Sequence, residues 1–171
     1  MVGGRDELRP LLFSAMIRAG ALDGQLYVLE VIEQIVSIAL WFKPGHMLWS
    51  SEEQRNLGYN KLMEQLSEED RNWWTNTYTA QVGDFLKKTL EVPFEEIWWL
   101  SLLGTDPAYQ RHGYATRLMD FVLTKMNSPG HAASTLIQEK FYNGVGYPTK
   151  GFFTLPNRLN PVPVYSFLRK I

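Results

Sequence analysis

The chain has 171 residues, with 17 Lys and Arg against 18 Asp and Glu, 45% hydrophobic residues and no cysteine. That length suits one globular domain over residues 1–171, and the near-neutral balance excludes the broad basic surface a nucleic-acid binder would carry. The missing cysteines exclude disulfides, thiolate metal ligands and a Cys nucleophile, and they fit a reducing, cytoplasmic setting. Any anion site must therefore be local.

Arg5, Asp6, Glu7 and Arg9 precede the first apolar stretch, so no secretion signal is expected. The longest apolar run, Ile35 to Phe42, is well short of the ~20 residues that cross a membrane, and no membrane partner is expected. From Asp6 to Ala19, apolar Leu8, Leu11, Leu12, Ala15, Met16 and Ala19 recur at three- and four-residue spacing, which predicts a helix stopped by Gly20. Gln25 to Ile32 and Gln34 to Phe42 read as a hairpin turning at Glu33 and Gln34, broken off by Lys43-Pro44-Gly45. Residues 46–90 are polar, with one helix expected from the cap Ser67-Glu68-Glu69-Asp70 to near Leu90.

Glu96 to Leu103 is a nearly continuous apolar strand, and Trp98 and Trp99 must point to opposite faces, so both faces of this central strand should be covered. Gly104 to Pro107 is a turn, Gln110 to Met126 a second amphipathic helix, and Asn127 to Gly130 its closure. Ala132 to Ile137, Gly151 to Leu155 and Val162 to Leu168 are the remaining strand candidates, with a short helix over Glu139 to Val145. Helices alternating with strands around a doubly covered strand give an α/β or α+β class.

The richest stretch runs from Trp98 to Met119, where a buried strand leads through a Pro turn into Gln110-Arg111-His112-Gly113-Tyr114-Ala115 and a helix. Physically this is an anion cradle. Gly113 permits close backbone approach, the free N–H groups and dipole of the first helical turn favour a phosphate, and Arg111 and Arg117 add charge. The bland alternative is an ordinary strand–loop–helix connection whose glycine only makes a turn.

Residues 110–115 resemble motif A of the GCN5-related N-acetyltransferase family, and Phe141-Tyr142-Asn143-Gly144-Val145-Gly146-Tyr147 is similar to its motif B. The resemblance implies an acyl-CoA N-acyltransferase fold with a mixed, mostly antiparallel sheet flanked by helices. It also implies acetyl-CoA as cofactor, with its pyrophosphate on the N–H groups of Arg111, His112, Gly113, Tyr114, Ala115 and Thr116, Gln110 opening the motif, and its pantetheine arm beside Leu102 and Leu103. The thioester would sit in a splay between the central strand and the next. Tyr142 would protonate the departing thiolate, chemically reasonable for a phenol near pKa ~10 and a thiol near ~8.5. Its alternative is a core ring packed on Phe141 and Phe152.

The family's first strand and first helix precede the hairpin, whereas this chain has space for one helix there, so the first strand is expected to be missing. The segment 129–141 is short by a few residues for a strand, loop and helix start, and the long region 46–90 resembles fungal-type relatives. Glu96 is a candidate general base, with Glu30 a further option and Ser101 a water-orienting one. His46, His112 and His131 lack metal-ligand spacing, so no metal is expected. Trp73 and Trp74 are read as a face buried against the sheet, or as lining an acceptor pocket. The expected activity is direct acetyl transfer to an amine, favoured to be a small molecule, and the resemblance allows a homodimer. The alternatives are a protein-lysine acetyltransferase, a non-catalytic acyl-CoA-binding remnant, or an interaction domain without cofactor.

Overall fold

The two apolar runs after the first helix pair as an antiparallel hairpin, β1 (Gln25–Val31) and β2 (Gln34–Phe42). The computed structural model describes residues 2–126 and 138–170 with side chains, and the backbone of residues 130–135. Ile32, expected to close the strand, is instead a turn residue. Ile32 and Glu33 have φ of 48° and 60°, the double left-handed geometry whose twist matches a two-residue hairpin. Turn chemistry there is poor, because neither residue favours positive φ, so the sequence misplaced the turn by one.

Four further strands complete one sheet: β3 (Ile97–Thr105), β4 (Gly130–Thr135), β5 (Thr149–Leu155) and β6 (Val162–Lys170). The order is β1-β2-β3-β4-β6-β5, and the β3–β4 pair alone is parallel. Among the described residues β1 is one edge of the sheet. Of the candidate strand Ala132 to Ile137, the last two residues lie outside the described residues, as does most of the turn expected at 127–130.

Helix α1 (Arg9–Asp23) is entered through a 3-10 turn at Asp6–Leu8 and runs straight through Gly20, which was expected to stop it. The glycine is there for contact. A Cβ on Gly20 would lie 2.3 Å from Leu40 Cδ1, so the helix can approach β2 only where it has no side chain. Termination falls at Gly24, whose N–H donates to the Gly20 carbonyl at 2.7 Å.

The region 46–90 holds more helix than its periodicity shows. α2 (Glu52–Gln54), a π-helical turn at Arg55–Tyr59 and α3 (Asn60–Gln65) precede the expected segment, which is α4 (Glu68–Asn72), a second π turn at Trp73–Tyr78 and α5 (Thr79–Thr89). Gly58, at φ 139°, interrupts the first stretch, and its bare backbone passes Ala15, whose Cβ would lie 2.9 Å from an added methyl. Ser67 caps α4 by accepting from the Asp70 N–H at 3.1 Å.

α6 (Tyr114–Leu123) covers one face of the sheet, where Leu118, Met119 and Val122 pack with Trp41, Leu100, Tyr142 and Phe167. The other face is covered by α1 and α5. Trp98 packs on the α6 side and Trp99 on the opposite side, with Leu40 and Phe42. Trp74 is buried among Leu12, Met16, Leu62 and Leu66, and Trp73 leans on the same cluster while its indole N–H donates to the Pro156 carbonyl at 2.6 Å. Trp74 therefore packs between helices, whereas Trp73 also lies against the cluster of Val82 with Leu155 and Val164 of the sheet. No described helix is long and apolar enough to cross a membrane.

Candidate active site

β3 stops pairing with β4 part-way along its length. The parallel register runs from Ile97 opposite Gly130 to Leu100 opposite Ala133, after which β3 continues to Thr105 while Ser134 and Thr135 of β4 pair with β6. The cause lies in the β2–β3 register. Trp41 faces Leu100 and Leu40 faces Leu102, leaving Ser101 as an extra residue, and such a bulge bends and over-twists its strand. The two strands splay where the bulge sits.

Beyond the splay a cleft of about 560 Å³ opens. Its walls are Leu103 to Thr105 at the end of β3, the loop and first turn of α6, and Gln138, Phe141 and Tyr142 at the start of α7 (Glu139–Gly144). The approach loop is pinned by its own side chains. Asp106 Oδ1 accepts from the Ala108 N–H at 2.8 Å, Gln110 Nε2 donates to the Thr105 carbonyl at 3.2 Å, and the Tyr109 hydroxyl is 3.1 Å from Gln34 Oε1.

Arg111 and Gly113 both hold positive φ, 64° and 76°. For a non-glycine residue this is an uncommon conformation, of the kind that marks binding loops. Gly113 caps α6 without any side-chain hydrogen bond, so the first-turn N–H groups keep their capacity for an outside acceptor. A Cβ built on Gly113 would meet no protein atom within 4 Å, so packing does not demand the glycine; the backbone angle and an open space in front of it do. Tyr114, Ala115 and Thr116 line the same cleft, Arg111 is its charged group, and no carboxylate lines it among the described residues. The residues present fit a phosphate-bearing cofactor.

Tyr142 is 5% exposed, stacked on Phe167 at 4.7 Å and edge-on to Phe141 at 5.3 Å. Burial pushes its phenol well above the ordinary phenol range. It is a core ring that also borders the cleft; Phe152, the other expected neighbour, is 55% exposed and packs on Tyr165. Three contacts hold α7: Thr149 Oγ1 donates to Glu139 Oε1 at 2.9 Å, Asn143 Oδ1 accepts from the Thr149 N–H at 3.0 Å, and Arg169 Nη1 donates to the Val145 carbonyl at 3.0 Å.

Several expected site residues lie elsewhere. Leu102 faces away from the cleft, because the bulge at Ser101 sends Leu102 and Leu103 to opposite sides one step out of phase with the rest of β3. Glu96 ends a 3-10 turn immediately before β3 and is not among the residues that line the cleft. Glu30 is exposed beside the hairpin turn. The His112 ring lies against Tyr114 at 5.8 Å and does not line the cleft. His46 is 3.1 Å from Asp23, and the His131 side chain lies outside the described residues. Tyr109 and Gln138 are cleft residues that sequence reasoning missed; the only signal was their position flanking the two motifs.

The sequence profile described as the acetyltransferase (GNAT) family matches residues 22–146. The chain belongs to the GNAT acetyltransferase family and is an acyltransferase with that family's fold. No curated protein matches it significantly in sequence. Among solved structures it is similar to an N-acetyltransferase from Staphylococcus aureus Mu50, at 16% identity and TM-score 0.58, covering 94% of this chain and 81% of that one. It is also similar to the Drosophila melanogaster polyamine N-acetyltransferase that forms N-acetylagmatine, at 14% identity and TM-score 0.57 over 85% and 74% of the two chains. An acetyltransferase from Bacillus anthracis solved with acetyl coenzyme A shares 14% identity, TM-score 0.51, over 87% and 63%.

Proposed function

We propose that this acetyltransferase passes an acetyl group from acetyl-CoA directly to the primary amine of a small molecule in a reducing, cytoplasmic setting. The observation that carries the reading is the Ser101 bulge with the cradle beyond it: a strand opened from its neighbour, leading to a helix N-terminus with left-handed Arg111 and Gly113. When bound, acetyl-CoA supplies an activated thioester. The N–H groups of residues 111–116 and the dipole of α6 would hold its phosphates, with Arg111 adding charge. The β3 backbone from Leu103 to Thr105, which has no partner on its β4 side among the described residues, offers hydrogen-bonding groups to an extended arm.

Tyr142 would keep a proton at its hydroxyl on the cleft wall. With the phenol raised by burial, complete transfer to a thiolate of pKa ~8.5 is uphill, so the group acts by donating a hydrogen bond to developing negative charge. The chain has no cysteine for a covalent acetyl intermediate, which favours direct attack by a neutral amine.

Calorimetric titration with acetyl-CoA, followed by thiol release against small amines and a lysine peptide, tests the reading. Saturable binding and release with a small amine are expected. Release with the peptide alone would reassign the acceptor, and no binding would overturn the cradle.

A further inference from the structure

A second groove, of about 360 Å³, lies on the opposite side of β3 from the cleft. Phe13 and Ile17 of α1 form one wall, and Ile35 and Ile38 of β2 with Leu102 of β3 form the floor. Its volume falls within the ~300–1,000 Å³ of small-molecule sites. Leu103, Gly104 and Thr105 line both the groove and the cofactor cleft. Because β3 has left β4 by this point, that shared edge is where the two spaces meet.

The floor is preformed. Ser37 Oγ is 3.0 Å from the Gly104 carbonyl and 2.9 Å from Thr105 Oγ1, and the Asp106 N–H donates at 2.9 Å to the carbonyl of Val36, the extra residue of a bulge in the β1–β2 register. At its rim Phe13 and Ile35 remain 44% and 56% exposed, large apolar side chains left in water beside a concavity. Among the described residues Asp106 is the one charged residue in the lining, and its Oδ1 accepts from the Ala108 N–H.

Resting on the acetyl-transfer reading above, we infer that this groove seats the acceptor, and that the acceptor is a primary amine on an aromatic or branched-alkyl stem that carries no carboxylate. The apolar walls take the stem, Asp106 attracts a cationic amine and repels an amino acid, and the shared edge at Leu103 brings the nitrogen to the cofactor side. A polyamine would leave its inner ammonium groups against Ile17, Ile38 and Leu102 without partners, which is costly.

The test is saturation-transfer NMR titration of the protein with 2-phenylethylamine, phenylalanine and spermidine, on the wild type and on Phe13→Ser and Ile35→Lys, whose exposed positions spare the fold. Binding of 2-phenylethylamine above the other two is expected, weakened about tenfold in each variant, with the acetyl-CoA dissociation constant unchanged. Equal or preferred binding of spermidine or phenylalanine, no binding of 2-phenylethylamine, or unchanged affinity in the variants overturns the assignment. So does a sedimentation shift from dimer to monomer in the variants, which would show the groove covered by a second copy. Failure of the wild type to bind acetyl-CoA would sink the activity reading instead, while the amine titration would still decide the groove.

Discussion

Leu100 and Leu102 are two residues apart on one strand yet pack on opposite faces of the sheet. Residues two apart on a regular strand share a face, so Ser101 between them is the point where the alternation slips. Its hydroxyl is buried without a hydrogen-bond partner among the described residues. Ser101→Ala should therefore be neutral or stabilising by up to about 1 kcal/mol, and it should leave acetyl-CoA affinity intact if the backbone bulge, and not the hydroxyl, opens the cleft. Thermal unfolding and calorimetry check both, and a clear loss of affinity would give the hydroxyl a direct role.

Gly113 holds φ 76° with open space before it. Gly113→Ala should cost about 1 kcal/mol of stability for the left-handed angle and weaken acetyl-CoA binding through a methyl in the cradle. Gly113→Asp should abolish binding, since it sets a carboxylate where phosphate would lie. Unchanged affinity in the Asp variant would refute the cradle.

Tyr142→Phe retains the stacking on Phe167 and removes only the hydroxyl. The expected result is a fall in kcat of about a hundredfold with the acetyl-CoA dissociation constant unaltered, read by thiol release and calorimetry. An unchanged kcat would leave Tyr142 as core alone.

Asp70 ties three distant parts of the chain together. Arg158 reaches it with Nε and Nη2 at 3.0 Å each and also donates to the Gly3 carbonyl at 2.9 Å. The Arg158 hydrogen bonds, with that of Ser67, hold the Asp70 carboxyl below its usual range. A depressed folded pKa gives stability that is present above the unfolded value of ~3.9 and lost as pH falls through the folded one. Asp70→Asn should lower the unfolding midpoint at pH 7 and flatten its decline below pH ~4. An acid limb identical to wild type would show that the pair does not govern acid unfolding.

Gly20→Ala sets helix propensity against packing. Alanine favours a helix by about 1 kcal/mol, yet its Cβ would lie 2.3 Å from Leu40 Cδ1 on a side chain with no exposure. Net destabilisation of about 1–3 kcal/mol is expected, measured by denaturant unfolding. A stabilised variant would mean that Leu40 can yield.

What could be read from residues alone was whatever is encoded locally. The Val and Ile runs of β1 and β2, the apolar face of α6 and the helix from Ser67 each follow from side chains a few positions apart. So does the cradle sequence, whose glycine and flanking strand and helix are contiguous in the chain. The first helical stretch of 52–65 was hidden because Gly58 breaks its period to clear Ala15, a contact 43 positions away in sequence. Gly20 looked like a stop for the same reason: what makes it necessary is Leu40.

The sequence by itself determined the family, the order of most elements and the stretch where an anion could be held, because short-range periodicity and one contiguous motif carry that information. Only the tertiary structure decided that Leu102 turns from the cleft while Leu103 faces it, and that a second groove shares the edge at 103–105. Those facts depend on a one-residue slip between β2 and β3. A register is set by the pairing of strands far apart in the chain, and no local pattern records it.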